Sequence, residues 1–240
     1  MDAGLADRIS GVAALADPVR RALYEYVVAQ EGPVGRDQVA AGASVPHHVA
    51  RFHLDRLVAE GLLAVEFRRL TGRSGPGAGR PAKLYRRSAA EITVSVPERT
   101  YDLAGDLMAR AIEISSGSDS DPADVLGDVA SARGRELGAA GRAMAPEAPV
   151  REAALAVLRA QGYEPRMADS EITLANCPFH ALARDHTSLV CGMNLALLTE
   201  LGRAVGGGAV RARLDPAPGR CCVVLTVGER PERPGSAPPD

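Results

Sequence analysis

The stretch SVPHHVARFHLDRLVAEGLL, residues 44–63, decides the fold of the first part of the chain. Its apolar residues recur at helical spacing, which predicts a helix over residues 46–60 with one buried stripe. The stripe comprises Ala50, Leu54, Leu57 and Val58. Ser44 suits the N-cap of this helix, Pro46 suits its first turn, and Gly61 ends it.

The segments on either side of this helix complete a familiar order of elements. A helical pattern over residues 5–30, broken at Asp17, and a short helix over 36–41 precede it. Two extended runs, 62–70 and 82–87, follow it and are separated by the glycine-rich segment TGRSGPGAGRP. Helix, turn, helix and a two-stranded ribbon predict a winged helix-turn-helix, which places its second helix in the major groove of DNA.

Charge is unevenly distributed along the chain. Residues 44–90 carry nine basic and three acidic side chains, although the whole chain has a formal net charge of −2. A basic first part joined to an acidic remainder points to a nucleic-acid surface on the first part. Aromatic residues are 3% of the sequence and Trp is absent, which argues against a binder of single strands that stacks bases on rings.

The candidate base-reading side chains lie near the start of the 46–60 helix. They are His47, His48 and Arg51, and Arg51 could pair with O6 and N7 of guanine. Phe52 and His53 are expected to be partly packed. Five cations could hold phosphates along the wing: Arg68, Arg69, Arg73, Arg80 and Lys83. The alternative, an exposed polar face with a solvated loop, would leave the agreement of helix order, wing and charge unexplained.

We expect an α+β protein with four regions. Residues 1–90 form the winged helix-turn-helix DNA-binding domain, and 91–146 form a helical linker or dimerisation region. Residues 147–228 form an α/β sensor domain that contains the cysteines, and 229–240 form a disordered tail.

The periodicity after residue 90 predicts further elements. Helices are expected over 100–115, 123–144, 150–161 and 188–205, and strands over 164–168, 171–175, 209–214 and 221–227. The apolar face of the 100–115 helix suits either a second subunit or its own chain, and the pattern leaves both open. The uncharged apolar stretch around 188–199 is too short to span a bilayer, and the first ten residues do not resemble a signal peptide. We therefore expect a cytoplasmic protein.

The four cysteines lie in the last third of the chain, at Cys177, Cys191, Cys221 and Cys222. Each stands at the expected edge of an element, and thiolates are the soft ligands that hold zinc or iron–sulfur clusters. Adjacent residues on a strand face opposite ways, so a single centre should take Cys177, Cys191 and one of the last pair. His180 is the first candidate for the fourth ligand, and the weaker ones are Asp185, His186 and Cys222.

Several of these motifs resemble one family. They are VARFHLDRLVAEGLL (49–63), GRPAKLYR (79–86), NCPF (176–179), LVCGMNLALL (189–198) and PGRCCV (218–223). Together they resemble ArsR-type winged-helix transcriptional regulators, and among these the branch of the iron–sulfur-assembly repressor SufR. The resemblance implies an iron–sulfur cluster that sets operator affinity, and it favours Cys221 over Cys222 as a ligand. Relatives carry His three residues after the second cysteine, where this chain has Asn194.

The resulting hypothesis is a homodimeric repressor of double-stranded DNA with a cluster in its C-terminal domain. Structural zinc, or a sensor domain for an organic ligand, is the alternative. A thiol enzyme built on Cys177 with His180 or His186 would need an oxyanion site that no motif supplies. We therefore expect no enzymatic activity.

Overall fold

A computed structural model describes residues 3–69 and 81–228 of the chain. This described part divides into two compact units, of which the first ends at Val94 and the second begins at Ser95. Both units combine helices with an antiparallel sheet, which agrees with the expected α+β class. The residues predicted as a disordered tail, 229–240, lie outside the described residues.

The first unit has the predicted order of elements. Its helices are α1 (Ala3–Ala14), α2 (Pro18–Val28), α3 (Arg36–Gly42) and α4 (His47–Ala59), and its strands are β1 (Val34–Gly35), β2 (Leu63–Arg68) and β3 (Ala82–Arg87). The strands pair in the order β1-β3-β2, so β2 and β3 form the wing. Asp17 caps α2, because its Oδ1 accepts a hydrogen bond from the Arg20 N–H at 2.9 Å. Leu23, Leu54, Leu57 and Tyr85 are buried in its core.

The turn between α3 and α4 differs from the expectation. Ser44 does not cap α4; it adopts a left-handed backbone with φ of 54°, and its N–H donates to Ala41 O at 3.2 Å. Pro46 stands at the N-cap position, where no side chain accepts a bond from the helix. The N-cap prediction for Ser44 was therefore wrong, because Ser44 lies in the turn between α3 and α4, two residues before the N-cap position.

The second unit is a helical layer against a sheet. Its helices are α5 (Tyr101–Ser116), α6 (Pro122–Met144), α7 (Val150–Ala160), α8 (His180–Asp185) and α9 (Thr187–Gly206). Its strands are β4 (Pro165–Ala168), β5 (Glu171–Leu174), β6 (Val210–Leu214) and β7 (Val223–Val227), paired in the order β4-β5-β7-β6. The last strand begins at Val223 rather than at Cys221, so the alternation of strand side chains does not govern Cys221 and Cys222.

Helix α5 packs one face against the other helices of the second unit. The predicted alternatives for its apolar face were a second subunit or its own chain, and the structure has the second arrangement. Ala104, Leu107 and Ala111 are buried in a core cluster with Leu126 of α6 and Val190 of α9. From Ser95 onward, the region predicted as a linker is thus part of the same compact unit as the cysteines.

Helices α6 and α9 approach each other closely because α6 presents glycines to α9. A Cβ added at Gly134 would lie 2.1 Å from the carbonyl oxygen of Leu197, and one at Gly138 would lie 2.5 Å from that of Leu201. Neither distance is compatible with any side chain larger than hydrogen. The glycines of α6 therefore set the spacing of the two longest helices described.

The segment Thr187–Ala209, which contains α9, is long and apolar enough to cross a membrane by length and composition, with a mean hydropathy of 1.2. It is longer than the uncharged stretch around 188–199 because it also includes the charged residues Glu200 and Arg203. Half of its apolar window is buried inside the structure, where α9 packs against α6 and the sheet. Glu200 lies within it and is bound by Arg203 at 2.8 Å and by Arg135 at 3.3 Å.

We expect Gly134→Ala to lower the free energy of unfolding by about 1–3 kcal/mol, since the new methyl group forces α6 away from the α9 backbone. Gly127→Ala is the matched control, because Gly127 lies on the same helix and nothing lies within 4 Å of its added Cβ. The control should stabilise the protein by about 0.5–1 kcal/mol, as Ala favours helix over Gly. Urea denaturation followed by circular dichroism measures both changes, and equal effects would contradict the close approach.

Candidate nucleic-acid interface and thiol site

The exposed face of α4 lies opposite the stripe that packs into the first unit. His48, Arg51, Phe52, Asp55 and Arg56 line one continuous shallow surface. Their spacing of three and four residues brings them onto one side of the helix. This surface, here called the α4 face, is where a winged helix-turn-helix meets base edges.

His47 and His48 have different surroundings. The Nε2 atom of His47 contacts Oδ1 of Asp37, so this ring links the start of α4 to α3. His48 is exposed and lines the α4 face. Of the two predicted histidines, the structure places only His48 on this face.

Asp55 joins α4 to the wing. Its Oδ1 accepts a hydrogen bond from Nζ of Lys83 at 2.6 Å, and its Oδ2 lies 4.0 Å from Nε of Arg51. The bond with Asp55 is the main reason that the pKa of Lys83 is raised. The Lys83 ammonium also lies 5.1 Å from the ring centroid of Tyr85. Lys83 therefore positions the wing against α4 in addition to carrying charge.

The other wing cations lie near or beyond the edge of the described strands. Arg68 is paired with Glu66, since its Nη2 lies 2.5 Å from Oε1 of that carboxylate. Arg69 is exposed. Arg73 and Arg80 lie outside the described residues, so their predicted contacts with phosphate stay predictions.

Phe52 is the largest departure from expectation on this surface. It was expected to be partly packed, but 67% of it is exposed. His53, by contrast, is half-buried as expected, and its ring meets that of Phe52 edge-on at a centroid distance of 5.3 Å. Sequence periodicity gave no sign that an aromatic ring stands on the polar face.

The four thiols of the second unit lie as two neighbouring pairs, here called the thiol site. Cys177, in the turn after β5, interacts with Cys221, and Cys191 on α9 interacts with Cys222. All four cysteines are free thiols. In the described part of the chain, however, no group of three or more His, Cys, Asp or Glu side chains is placed to hold one metal ion.

The two pairs differ in electrostatics. A hydrogen bond from Cys221 lowers the pKa of Cys177 to about 7, although burial opposes this shift. Interaction with Cys177, and then burial, raises the pKa of Cys221 above its ordinary value. Burial raises the pKa of Cys191 to about 12, and the neighbouring Cys222 adds to that shift. The Cys177 thiol therefore ionises more readily than the thiols of Cys191 and Cys221.

A buried polar relay supports Cys221. The amide Nδ2 of Asn194 donates to Sγ of Cys221 at 3.3 Å, and Oδ1 of Asn194 accepts from the Tyr163 hydroxyl. Burial holds the pKa of Tyr163 well above its ordinary value, so the hydroxyl keeps its proton. The Asn194 amide thus orients Cys221, a predicted ligand.

His180, the predicted fourth ligand, begins α8 and is exposed. Its backbone N–H donates to the carbonyl of Cys177 at 3.0 Å. Cys222, by contrast, interacts with the Cys191 thiol. The sequence placed His180 ahead of Cys222 as fourth ligand because this long-range contact is not visible in the sequence.

Residues 15–66 match a family model described as a helix-turn-helix domain. The match covers α2, α3 and α4. No curated protein and no solved structure matches the chain. The helix-turn-helix domain indicates a DNA-binding transcriptional regulator and is consistent with an ArsR-type winged-helix regulator.

Asn176 fastens the Cys177 turn of this regulator to the segment that opens its second unit. Nδ2 of Asn176 donates to Glu98 O at 2.9 Å and to Gly162 O at 2.7 Å, and its Oδ1 accepts from Arg99. Arg99 also donates to the carbonyl of Cys177 at 3.0 Å. The segment just after the first unit is therefore bonded directly to a residue of the thiol site.

We expect Asn176→Ala to lower the free energy of unfolding by about 1–3 kcal/mol, because it leaves buried carbonyls without donors. Thr173→Ala is the control, since its exposed hydroxyl makes only a 3.4 Å bond to Arg166 O. The control should change stability by less than about 0.5 kcal/mol. Denaturant titration of both variants tests this, and a loss in Thr173→Ala as large as that in Asn176→Ala would contradict the anchoring role.

Proposed function

We propose that the protein is a transcriptional repressor that binds an inverted-repeat operator as a homodimer. The observation that carries the proposal is the α4 face: it belongs to a matched helix-turn-helix domain and presents His48 and Arg51 to solvent. Each chain offers one such helix, and a dimer would present two to successive major grooves. Because the buried face of α5 packs within its own chain, the two subunits would contact each other through other surfaces.

Arg51 is the proposed reader of a guanine. Its side chain is 69% exposed, and its nearest carboxylate, Asp55, is 4.0 Å away, so the guanidinium is available for a bidentate bond to O6 and N7. The wing cations, including Arg68 and Arg69, supply phosphate contacts that position α4. Such contacts release counterions, so operator affinity should fall steeply with salt.

Arg51→Ala should weaken binding to the specific site by about 1–3 kcal/mol, because one bidentate base contact is lost. Duplexes are first selected from a random pool with the wild-type protein, and fluorescence anisotropy at one salt concentration then measures the affinity of the winning duplex. Arg110→Ala is the matched control: Arg110 has similar exposure and a carboxylate partner at i−4, but lies on α5.

The control removes the same charge and should bind within about twofold of the wild type. Equal affinity of Arg51→Ala and wild type would remove Arg51 from the reading role. A wild-type protein that enriches no duplex would contradict DNA binding itself.

We further propose that the thiol site holds an iron–sulfur cluster, as the SufR-like motifs imply. Four thiols gather in two neighbouring pairs, and the Asn194 amide reaches the sulfur of Cys221, as side chains around cluster sulfurs commonly do. The donor type suits a cluster, since thiolates are its usual ligands, but the described residues do not place three such groups around one metal ion, so cluster binding would require the two pairs to come closer. The contact of Cys222 with Cys191 favours Cys222 over the exposed His180 as fourth ligand. A bound cluster would make the protein responsive to oxygen and to iron supply.

The bonds of Arg99 offer a route from this site to DNA. Arg99 follows the end of the first unit by a few residues and binds the carbonyl of Cys177. Changes in the Cys177 turn can therefore alter the segment that leads to the DNA-binding unit. A tenfold change in operator affinity requires only about 1.4 kcal/mol of coupling between the two sites.

Cys222→Ser should lose most of the iron and sulfide found in protein purified without oxygen, whereas His180→Ala should keep them. Cys177→Ser, Cys191→Ser and Cys221→Ser should behave like Cys222→Ser. On the selected duplex, cluster-loaded wild type should bind at least several-fold more tightly than cluster-free protein. Elemental analysis and anisotropy measure the two effects separately.

Retention of the cluster in Cys222→Ser with its loss in His180→Ala would reverse the choice of fourth ligand. Zinc without sulfide in the wild type would replace the cluster by a structural metal. Equal DNA affinity of loaded and cluster-free protein would contradict the sensor role and leave DNA binding intact.

A further inference from the structure

We propose that Phe52 is a specificity-determining residue that contacts the C5-methyl group of a thymine in the major groove. The inference rests on the proposed DNA binding and adds a second base contact to it. It arises from one observation, an aromatic ring that stands 67% exposed on the α4 face.

The position of Phe52 places it among the groups that face the DNA. It follows Arg51 directly, lies one helical turn after His48, and lines the same shallow surface as both. The buried stripe of α4 is complete without it, because Ala50, Leu54 and Leu57 already fill the core side of the helix. Packing into the core of the unit therefore does not account for the place of the ring.

The surroundings of the ring favour a polyanion over an apolar protein partner. Arg51, Arg56 and the Asp55 carboxylate line the α4 face with Phe52, and Arg20 and Arg56 line the adjoining hollow next to α1, so three cations and one carboxylate surround the ring. Arg56 is paired with Glu60 at 2.5 Å, and Nε of Arg20 donates to Ala14 O at 2.6 Å, so both guanidinium groups are held in place beside the ring. An apolar contact framed by fixed cations matches a thymine methyl framed by phosphates.

The ring is also oriented before DNA arrives. The imidazole of His53 meets it at an interplanar angle of 76°, and His53 is itself half-buried. Edge-on aromatic contacts of this kind restrict the motion of an exposed ring. A held ring loses less conformational freedom when a base docks on it.

The chemistry of the contact identifies the base. In the major groove thymine alone presents a methyl group, and Phe is among the side chains that contact it. Phe has no hydrogen-bonding atom in its side chain, so it cannot read the donor and acceptor pattern of the other base edges. Phe52 would therefore distinguish thymine from cytosine through the methyl group.

The test replaces thymine by deoxyuridine, which removes only that methyl group. Each thymine of the duplex selected with the wild type is replaced in turn, and anisotropy measures the affinity of wild type and Phe52→Ala. We expect one position in each half-site where the replacement weakens wild-type binding about 4-fold, the effect of one buried methyl group. Phe52→Ala should bind the thymine duplex more weakly and show no further loss at that position.

Two further variants sharpen the reading. Phe67→Ala is the matched control, because Phe67 is also 67% exposed but lies on β2 of the wing; it should keep the wild-type response to deoxyuridine. Phe52→Leu keeps an apolar side chain and should keep part of the response. Circular dichroism melts check that all variants fold like the wild type.

Three results would overturn the proposal. The first is Phe52→Ala with wild-type affinity on every duplex, and the second is a weaker Phe52→Ala that still responds to each replacement as the wild type does. The third is a Phe52→Ala variant that keeps the wild-type response to deoxyuridine but no longer sediments as a dimer, which would assign the ring to a subunit contact. Enrichment of no duplex by the wild type would instead refute the proposed function, and this inference with it.

Discussion

The side chain of Asn176 is the constraint on which the arrangement of the second unit depends. Its Nδ2 donates to the carbonyl of Glu98, near the start of the unit, and to that of Gly162, just after α7, while its Oδ1 accepts from the Arg99 guanidinium. Each of these carbonyls would be costly to bury without a donor. Because the next residue is Cys177, the same amide also fixes where the first thiol of the site stands. Asn176 therefore both stabilises the second unit and positions a thiol of the proposed sensing site.

Much of the fold could be predicted from local patterns. The helices α2, α4, α6 and α7 were found within a few residues because each buries one periodic stripe, and both wing strands were found as extended runs on either side of a glycine-rich segment. The short helix α8 was missed, since it has no buried residue and so no stripe to detect. The N-cap of α4 was misplaced because a left-handed backbone at Ser44 leaves no mark in the sequence.

The candidate site was predictable only in part, because its decisive contacts are long-range. Thiols at the edges of elements were expected to converge on one centre; Cys177 does interact with Cys221, but among the described residues no three such groups surround one metal ion. The strand rule could not be applied to Cys221 and Cys222, because the regular strand begins at Val223 and the Cys221 N–H donates to Leu174 O at 2.8 Å ahead of it. Asn176 and Asn194 carried no signal of their own, since a polar residue looks exposed until its buried partners are known. The exposure of Phe52 was not predicted, because an apolar residue next to a buried stripe is expected to pack with that stripe.

Lys83 has a consequence for the chemistry of the whole chain. It is the only lysine in a sequence whose other basic side chains, histidines aside, are all arginine. Its ammonium is the group that bonds Asp55 and so holds the wing to α4. Acylation of Nζ would abolish its positive charge, whereas guanidinium groups stay protonated and resist such reagents. An amine-selective reagent therefore modifies one side chain in this sequence. That side chain connects α4, which would contact the base edges of DNA, to the wing, which would contact its phosphates.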